Sequence, residues 1–198
     1  MSDTAAQAPV NPEHPQPNDD WVTAIPARGA FDAEACERIL ALGGAMHVGT
    51  IGPKQLGNDH RDSHIDWLAM NDENRWLYDR LRPVLKEANR RFFKMKLSGF
   101  TEALQLTEYA EGQYYDWHID FGPGPSSIRK LSFVVQLSDP ESYEGGDLQI
   151  MNSRDPQPMP RDRGVIVMFP SFVLHRVAAV TRGVRRSLVG WIGGPPFA

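Results

Sequence analysis

Apolar positions along the chain follow two regimes. Up to Lys94 they recur at helical spacing, and beyond it they alternate or cluster in short runs separated by Gly, Pro, Asp and Asn. The first regime predicts a strand from Trp21 to Ala27, then an amphipathic helix entered at Phe31, Asp32 and Glu34. Asp32 is its N-cap, Ile39 and Leu40 lie on its apolar face, and Gly43-Gly44 stop it. A second helix is predicted from about Glu73 to Phe93, with Trp76, Leu77, Leu81, Leu85 and Ala88 on one stripe. Pro83 lies inside it and should kink or split it, because it removes a backbone donor and crowds the preceding turn. The second regime predicts strands at 102–109, 114–119, 130–138, 147–151, 164–169, 173–179 and 185–192. Many short strands after N-terminal helices describe a mainly β protein with flanking helices (α+β). A double-stranded β-helix, or jelly roll, should form the core over about 96–195, with helical support over about 30–95. A parallel α/β sheet is disfavoured. Gly122–Ser127 and Asn152–Arg163 are polar and proline-rich, so they are expected as exposed loops at the rim. No internal repeat is present.

Composition adds boundaries to this picture. Residues 1–20 carry four prolines and almost no large apolar side chains, so a disordered tail is expected there, followed by one domain over 21–198. With 41% hydrophobic and 23% charged residues the chain reads as an ordinary soluble globular protein. Cys36 is the single cysteine, which excludes an internal disulfide framework and a multi-cysteine zinc cluster and leaves His and carboxylates to hold any metal. The sequence shows neither a membrane-spanning apolar run nor a secretory signal, so a cytoplasmic location is expected. A formal net charge of −4 argues against a general nucleic-acid coat protein. The charge is unevenly spread, however: seven arginines between Arg154 and Arg186 face only Asp155 and Asp162, a possible local basic surface.

Candidate chemistry lies in the β-rich half. In Tyr114-Tyr115-Asp116-Trp117-His118-Ile119-Asp120, His118 and Asp120 are two apart on a strand and project to one face. His175 ends the apolar run Phe169-Pro170-Ser171-Phe172-Val173-Leu174, where a core strand would deliver it inward. Two imidazoles and one carboxylate on one side of an ion leave positions open, the set that suits ferrous iron in oxygenases. His14 falls in the tail, His47 has no partner at ligand spacing, and His60 and His64 are read as solvated loop residues. Ten residues past His175, a turn at Gly183 would let a strand starting at Arg185 return antiparallel to the one carrying His175. Arg185 and Ser187 then share a face, and a guanidinium beside a hydroxyl is suited to gripping a carboxylate.

Each of these signals is weak alone, but their order along the chain is specific. Tyr109, Gly112, Tyr115, His118 and Asp120 form Y-x-x-G-x-x-Y-x-x-H-x-D, and Glu144-Gly145-Gly146-Asp147, His175 and the R-x-S of Arg185–Ser187 follow. This set, over roughly residues 100 to 195, resembles the iron(II)/2-oxoglutarate oxygenases of the prolyl 4-hydroxylase-like superfamily, and especially small bacterial enzymes of the PKHD hydroxylase type. The resemblance implies that His118, Asp120 and His175 ligate iron and that Arg185 pairs with the distal carboxylate of 2-oxoglutarate. Prolyl 4-hydroxylases proper often carry Lys at that position. It also implies that Tyr109 hydrogen-bonds the co-substrate, that Gln136 is a polar contact to it, and that Trp191 lines the same pocket. Related halogenases replace the ligand carboxylate with a small residue, so Asp120 favours hydroxylation. Gly145-Gly146 reads as a tight turn of structural importance.

The implied cofactors are Fe(II), 2-oxoglutarate and O2, with ascorbate as a supporting reductant. The implied reaction is hydroxylation of an unactivated C–H bond, with release of succinate and CO2. The substrate would be a peptide, an amino acid or another small molecule, read by loops such as 50–71 and 122–129. The alternatives are an AlkB-like nucleic-acid oxygenase, which the acidic charge disfavours, and a jelly-roll module that binds metal without turnover.

Overall fold

Leu131, Phe133, Val135 and Leu137 alternate with Ser132, Val134 and Gln136, and the two sets meet different surroundings. The first set packs with helical residues such as Ile39, Leu77, Leu81 and Leu85 in one apolar cluster. Val134 of the second set instead joins Tyr109, Leu148, Ile150, Val167, Phe169, Val173 and Val177 in another. A strand that is buried on both faces needs a layer on each side, and the computed structural model supplies them. It describes residues 22–49, 60–152 and 154–196. The expected tail over 1–20, Trp21 of the expected first strand, and residues 50–59 of the expected substrate loop lie outside the described residues.

In chain order the elements are β1 (Ile25–Ala27), α1 (Ala33–Ala41), β2 (His47–Val48), β3 (Arg61–Asp62), β4 (His64–Leu68) and α2 (Arg75–Ala88). Next come β5 (Gly99–Phe100), β6 (Leu104–Tyr109), β7 (Tyr114–His118), β8 (Arg129–Gln136), β9 (Tyr143–Gly145), β10 (Leu148–Asn152) and β11 (Asp155–Pro158). The chain closes with β12 (Ile166–Pro170), β13 (His175–Val177), β14 (Val180–Gly183) and β15 (Arg185–Gly193). A major sheet runs β1-β12-β8-β15-β6-β4-β2, with β5 also on β15. A minor sheet runs β11-β10-β13-β7-β3, and β14 pairs with β9. Every strand pairing is antiparallel. The two helices cover the outer face of the major sheet, and the second apolar cluster fills the space between the sheets. This is the jelly roll with helical support.

Helix α1 starts as its sequence requires: the Asp32 carboxylate accepts from the Ala35 amide at 2.8 Å. Helix α2 runs through Pro83 without splitting, and its irregularity comes later, as a π-helical turn at Asn89–Phe93. Asp79, whose carbonyl Pro83 deprives of a partner, and Pro83 itself are both exposed, so the lost bond falls on the solvent side of the helix. The buried Tyr78 hydroxyl ties α2 to the sheet, donating to the Leu68 carbonyl at 2.7 Å and accepting from the Leu104 amide at 3.2 Å.

Three expectations about loops and pairing need correction. Residues 60–68 of the expected substrate loop hold β3 and β4, so His64 is a strand residue beside Glu108 and not a loop residue. Within Asn152–Arg163, β11 pairs with β10 despite Pro156 and Pro158, because an edge strand can present its proline positions to the open side. Most significantly, β15 does not lie against the strand of His175. It is bonded to β6 and β8 in the major sheet, whereas β13 pairs with β10 and β7 in the minor one. Gly183, at φ +77°, packs so closely on the Ser142 carbonyl that a Cβ would come within 2.3 Å of it. The chain crosses between sheets over this stretch, leaving His175 in the minor sheet and Arg185 in the major one.

Candidate iron and 2-oxoglutarate site

Strands β7 and β13 bring the two histidines opposite each other: His118 and His175 are cross-strand partners. Asp120 follows directly after β7, where its amide and that of Phe121 both donate to the Ser171 carbonyl, at 2.9 and 3.0 Å. Donor atoms of His118, Asp120 and His175 all lie within 4.8 Å of one another. His118 Nδ1 lies 2.7 Å from the Asp116 carbonyl and His175 Nδ1 2.9 Å from that of Val173. Each Nδ1 therefore carries its proton toward a backbone acceptor, and each Nε2 is left as a bare lone pair. Those two Nε2 atoms face the Asp120 carboxylate, at 3.8 Å from Oδ1 and 3.6 Å from Oδ2.

The protonation states suit a cation. Burial, reinforced by nearby His175, pushes the His118 imidazole down to about 3. Burial alone would raise the Asp120 carboxyl, but His175, His118 and the hydroxyl of Ser132 outweigh it and hold it below the usual carboxylate range. Neutral imidazole and ionised carboxylate are the ligating forms. Tyr115 stacks on His118 at 3.5 Å with an interplanar angle of 10° and fixes the ring plane. The same burial pushes the Tyr115 phenol up to about 12, so it stays neutral.

Several supporting residues carry no role in the sequence reading. Ser132 donates to Asp120 Oδ2 at 2.6 Å and sits 3.0 Å from the Ser171 hydroxyl. Arg129 is bound to both oxygens of Glu102, lies 3.9 Å over the Trp191 ring, and donates to the Asp120 carbonyl at 3.2 Å. Ser132 was visible in the alternation as a face-mate of Gln136. Arg129 had no such signal, because its partners are distant in sequence. The Ser132 hydroxyl thus holds one oxygen of the Asp120 carboxylate and fixes its orientation toward the two histidines. Ser132→Ala should therefore leave the fold intact and weaken divalent metal binding by about 10-fold or more, the usual effect of losing an outer partner. A metal titration checks this, and unchanged affinity would show that Ser132 does not orient the carboxylate.

Arg185 is the largest fully buried side chain, and it meets no carboxylate among the described residues. Its Nη2 donates to Gln136 Oε1 at 2.9 Å, its Nη1 reaches Ser187 Oγ at 3.4 Å, and its charge lies 5.6 Å over the Tyr109 ring. Its Nε has no partner. A buried guanidinium held only by neutral groups lacks a counter-ion. All four residues expected around the co-substrate are thus brought together. Gly146, at φ +65°, lets the Arg185 stem pass, since a Cβ there would sit 3.1 Å from Arg185 Cδ. Arg186 turns outward and pairs with Glu108 at 2.7 Å. Trp191 is buried near Asp120, its Nε1 without a standard hydrogen bond, and its ring lies 6.1 Å from that of Trp67. The residues present fit both a ferrous ion and a dicarboxylate.

Comparison with known proteins agrees with this geometry. Residues 104–193 match the 2OG-Fe(II) oxygenase superfamily. Over that stretch the chain is similar to that superfamily. The sequence is also similar to PKHD-type hydroxylases: it is 34% identical to one from Prochlorococcus marinus over 146 residues, 70% of this chain and 65% of the relative. A second, from Parvibaculum lavamentivorans, is 42% identical over 87 residues, 44% of this chain and 40% of the relative. The chain thus spans less than two thirds of the length of these curated relatives. A Pseudomonas putida prolyl-4-hydroxylase superposes with a TM-score of 0.68 at 19% identity, covering 87% of this chain and 93% of that one. A prolyl hydroxylase from Trichoplax adhaerens, in complex with a peptide fragment of hypoxia inducible factor, gives 0.72 at 16% identity, with coverages of 86% and 83%. These structures share the fold.

Proposed function

We propose that the protein is an Fe(II)/2-oxoglutarate-dependent hydroxylase, with His118, Asp120 and His175 holding the iron and Arg185, assisted by Ser187, Tyr109 and Gln136, holding the 2-oxoglutarate. The observation that carries this reading is the pairing of a two-histidine, one-carboxylate cluster with a buried, unpaired arginine across the same barrel. When bound, iron and 2-oxoglutarate supply the oxidation: 2-oxoglutarate and O2 are converted to succinate and CO2 while hydroxyl replaces hydrogen on an unactivated C–H bond.

The chain's own contribution is placement. The backbone carbonyls of Asp116 and Val173 set the histidine tautomers, Ser132 orients the Asp120 carboxylate, and Arg185 fixes one end of the co-substrate so that its other end can reach the metal side. The apolar cluster of Val134, Val167, Phe169, Val173 and Val177 keeps the space between the sheets dry. No general acid or base is required.

The substrate belongs to the class of peptides, amino acids or other small molecules. The peptide-bound Trichoplax neighbour supports a peptide, and the fold similarity to prolyl hydroxylases supports a prolyl group. A nucleic-acid substrate is disfavoured because five of the seven arginines of the basic stretch are ion-paired or interior. Arg161 pairs with Asp147, Arg163 with Glu37, Arg182 with Glu144 and Arg186 with Glu108, while Arg185 is interior. No helix among the described residues is long and apolar enough to cross a membrane. A cytoplasmic setting suits the free, buried Cys36 thiol. Mass spectrometry tests the activity: incubation with iron, 2-oxoglutarate, ascorbate and cell extract should give succinate together with a product about 16 Da heavier. Absence of iron-dependent succinate would leave a metal-binding module without turnover.

A further inference from the structure

Besides Arg185, a second guanidinium is buried in this region. Arg61, on β3, is 9% exposed. Its Nε donates to Ser63 Oγ at 2.8 Å and its Nη2 to Gln105 Oε1 at 3.0 Å, and its charge lies 4.7 Å over the Tyr115 ring that stacks on His118. Ser63 and Gln105 are neutral, and Gln105 Oε1 already accepts from Thr107 as well. The adjacent Asp62 is turned away, accepting from Gln113 at 2.7 Å. No carboxylate among the described residues pairs with Arg61.

The location matters as much as the burial. Strand β3 is the last strand of the minor sheet on the β7 side, and β4, which follows it directly, lies next to β6 in the major sheet. Arg61 therefore sits where the chain steps between the sheets. It reaches from one sheet to Gln105 on the other, on the Tyr115 side of the metal cluster. Arg185 is held by Gln136 and Ser187 and Arg61 by Ser63 and Gln105, so the two guanidinium groups share no hydrogen-bond partner.

Charge counting points the same way. Arg129 is neutralised by Glu102, Asp120 is one negative charge, and Arg61 and Arg185 are positive. A ferrous ion and a doubly charged 2-oxoglutarate cancel each other formally, so the filled site retains one positive charge, at Arg61. A buried cation without a counter-ion is costly. A ligand that brings one carboxylate removes that cost.

We propose that Arg61 is a specificity-determining residue that receives a carboxylate of the substrate, so that the molecule hydroxylated is an amino acid with a free carboxylate, alone or at a chain end, and not an internal residue of a peptide. This rests on the hydroxylase reading above and narrows its substrate class.

Equilibrium dialysis of the full chain, loaded with Mn(II) and 2-oxoglutarate in the absence of O2, tests it. Three pools serve as probes: the free proteinogenic amino acids, their N-acetyl derivatives, and their N-acetyl amides, with the retained species identified by mass spectrometry. At least one member of a carboxylate-bearing pool should be retained, and its amide counterpart should not. Retention from the free pool alone identifies a free amino acid, and retention from the N-acetyl pool identifies a chain end. Arg61→Gln should lower that retention by about 30-fold or more, as expected for loss of a desolvated charge pair, and Arg61→Lys should restore part of it. Equal retention of the amides, undiminished retention by Arg61→Gln, or no retention from either carboxylate pool would overturn the proposal. The amide comparison uses the unaltered protein, so it stands even if a variant misfolds. Retention of 2-oxoglutarate itself separates the two readings: if it is held while the pools fail, only the Arg61 assignment falls, and if it is not held, both fall.

Discussion

Alanine at His118, Asp120 or His175 should abolish 2-oxoglutarate turnover and strip the protein of iron, while the chain still folds. Each residue supplies one of three protein donors whose ligand atoms lie within 4.8 Å of one another, and no fourth His, Cys, Asp or Glu among the described residues joins them. Metal activation of this kind contributes several kcal/mol, so its loss should cost on the order of a thousandfold or more in rate. Folding should survive because the apolar clusters that hold both sheets and the helices include none of the three. Iron content, turnover and thermal unfolding measured on the same samples make the check. Near wild-type turnover with unchanged iron in any variant would remove that residue from the ligand set. Asp120→Gly should likewise lose hydroxylation while leaving a position for an exogenous anion on the metal.

Arg185→Ala should raise the 2-oxoglutarate concentration needed for half-maximal turnover about 30-fold or more, and Arg186→Ala should change it less than about fivefold. The two side chains differ by one position on β15. Arg185 is 1% exposed and held by Gln136 and Ser187, whereas Arg186 is partly exposed and pairs with Glu108. A desolvated guanidinium–carboxylate pair is worth about 2 to 5 kcal/mol and a surface pair roughly 0 to 1, with about 1.4 kcal/mol per tenfold. Titration of 2-oxoglutarate against both variants at saturating iron decides between them. A larger effect at Arg186 would contradict the inward register of the whole strand, Ser187 and Trp191 included.

Local patterns carried much of the fold. Period-two alternation put Arg185 and Ser187 on one face of β15, the family resemblance added Gln136, and the structure brings the three together. What the sequence concealed was pairing. The ten residues between His175 and Arg185 suggested a hairpin, yet the packing of Gly183 on Ser142 sends the chain across to the other sheet. Short edge strands were equally hidden: β3 is polar and β11 contains two prolines, so they are stabilised by partners and not by their own composition. Arg129 and Arg61 escaped for the same reason, since each is held by a residue far away in the chain. Pro83 misled in the opposite direction, because its effect depends on which face of α2 meets water.

Anaerobic titration of Fe(II) into the protein, with and without 2-oxoglutarate, tests the central claim without reference to any substrate. One equivalent of iron per chain should bind, and a visible charge-transfer absorption should develop only when 2-oxoglutarate is also present. That absorption should be missing in His175→Ala and should require far more 2-oxoglutarate in Arg185→Ala. Iron binding with no spectral response to 2-oxoglutarate, or a response identical in Arg185→Ala, would contradict a site built to hold both.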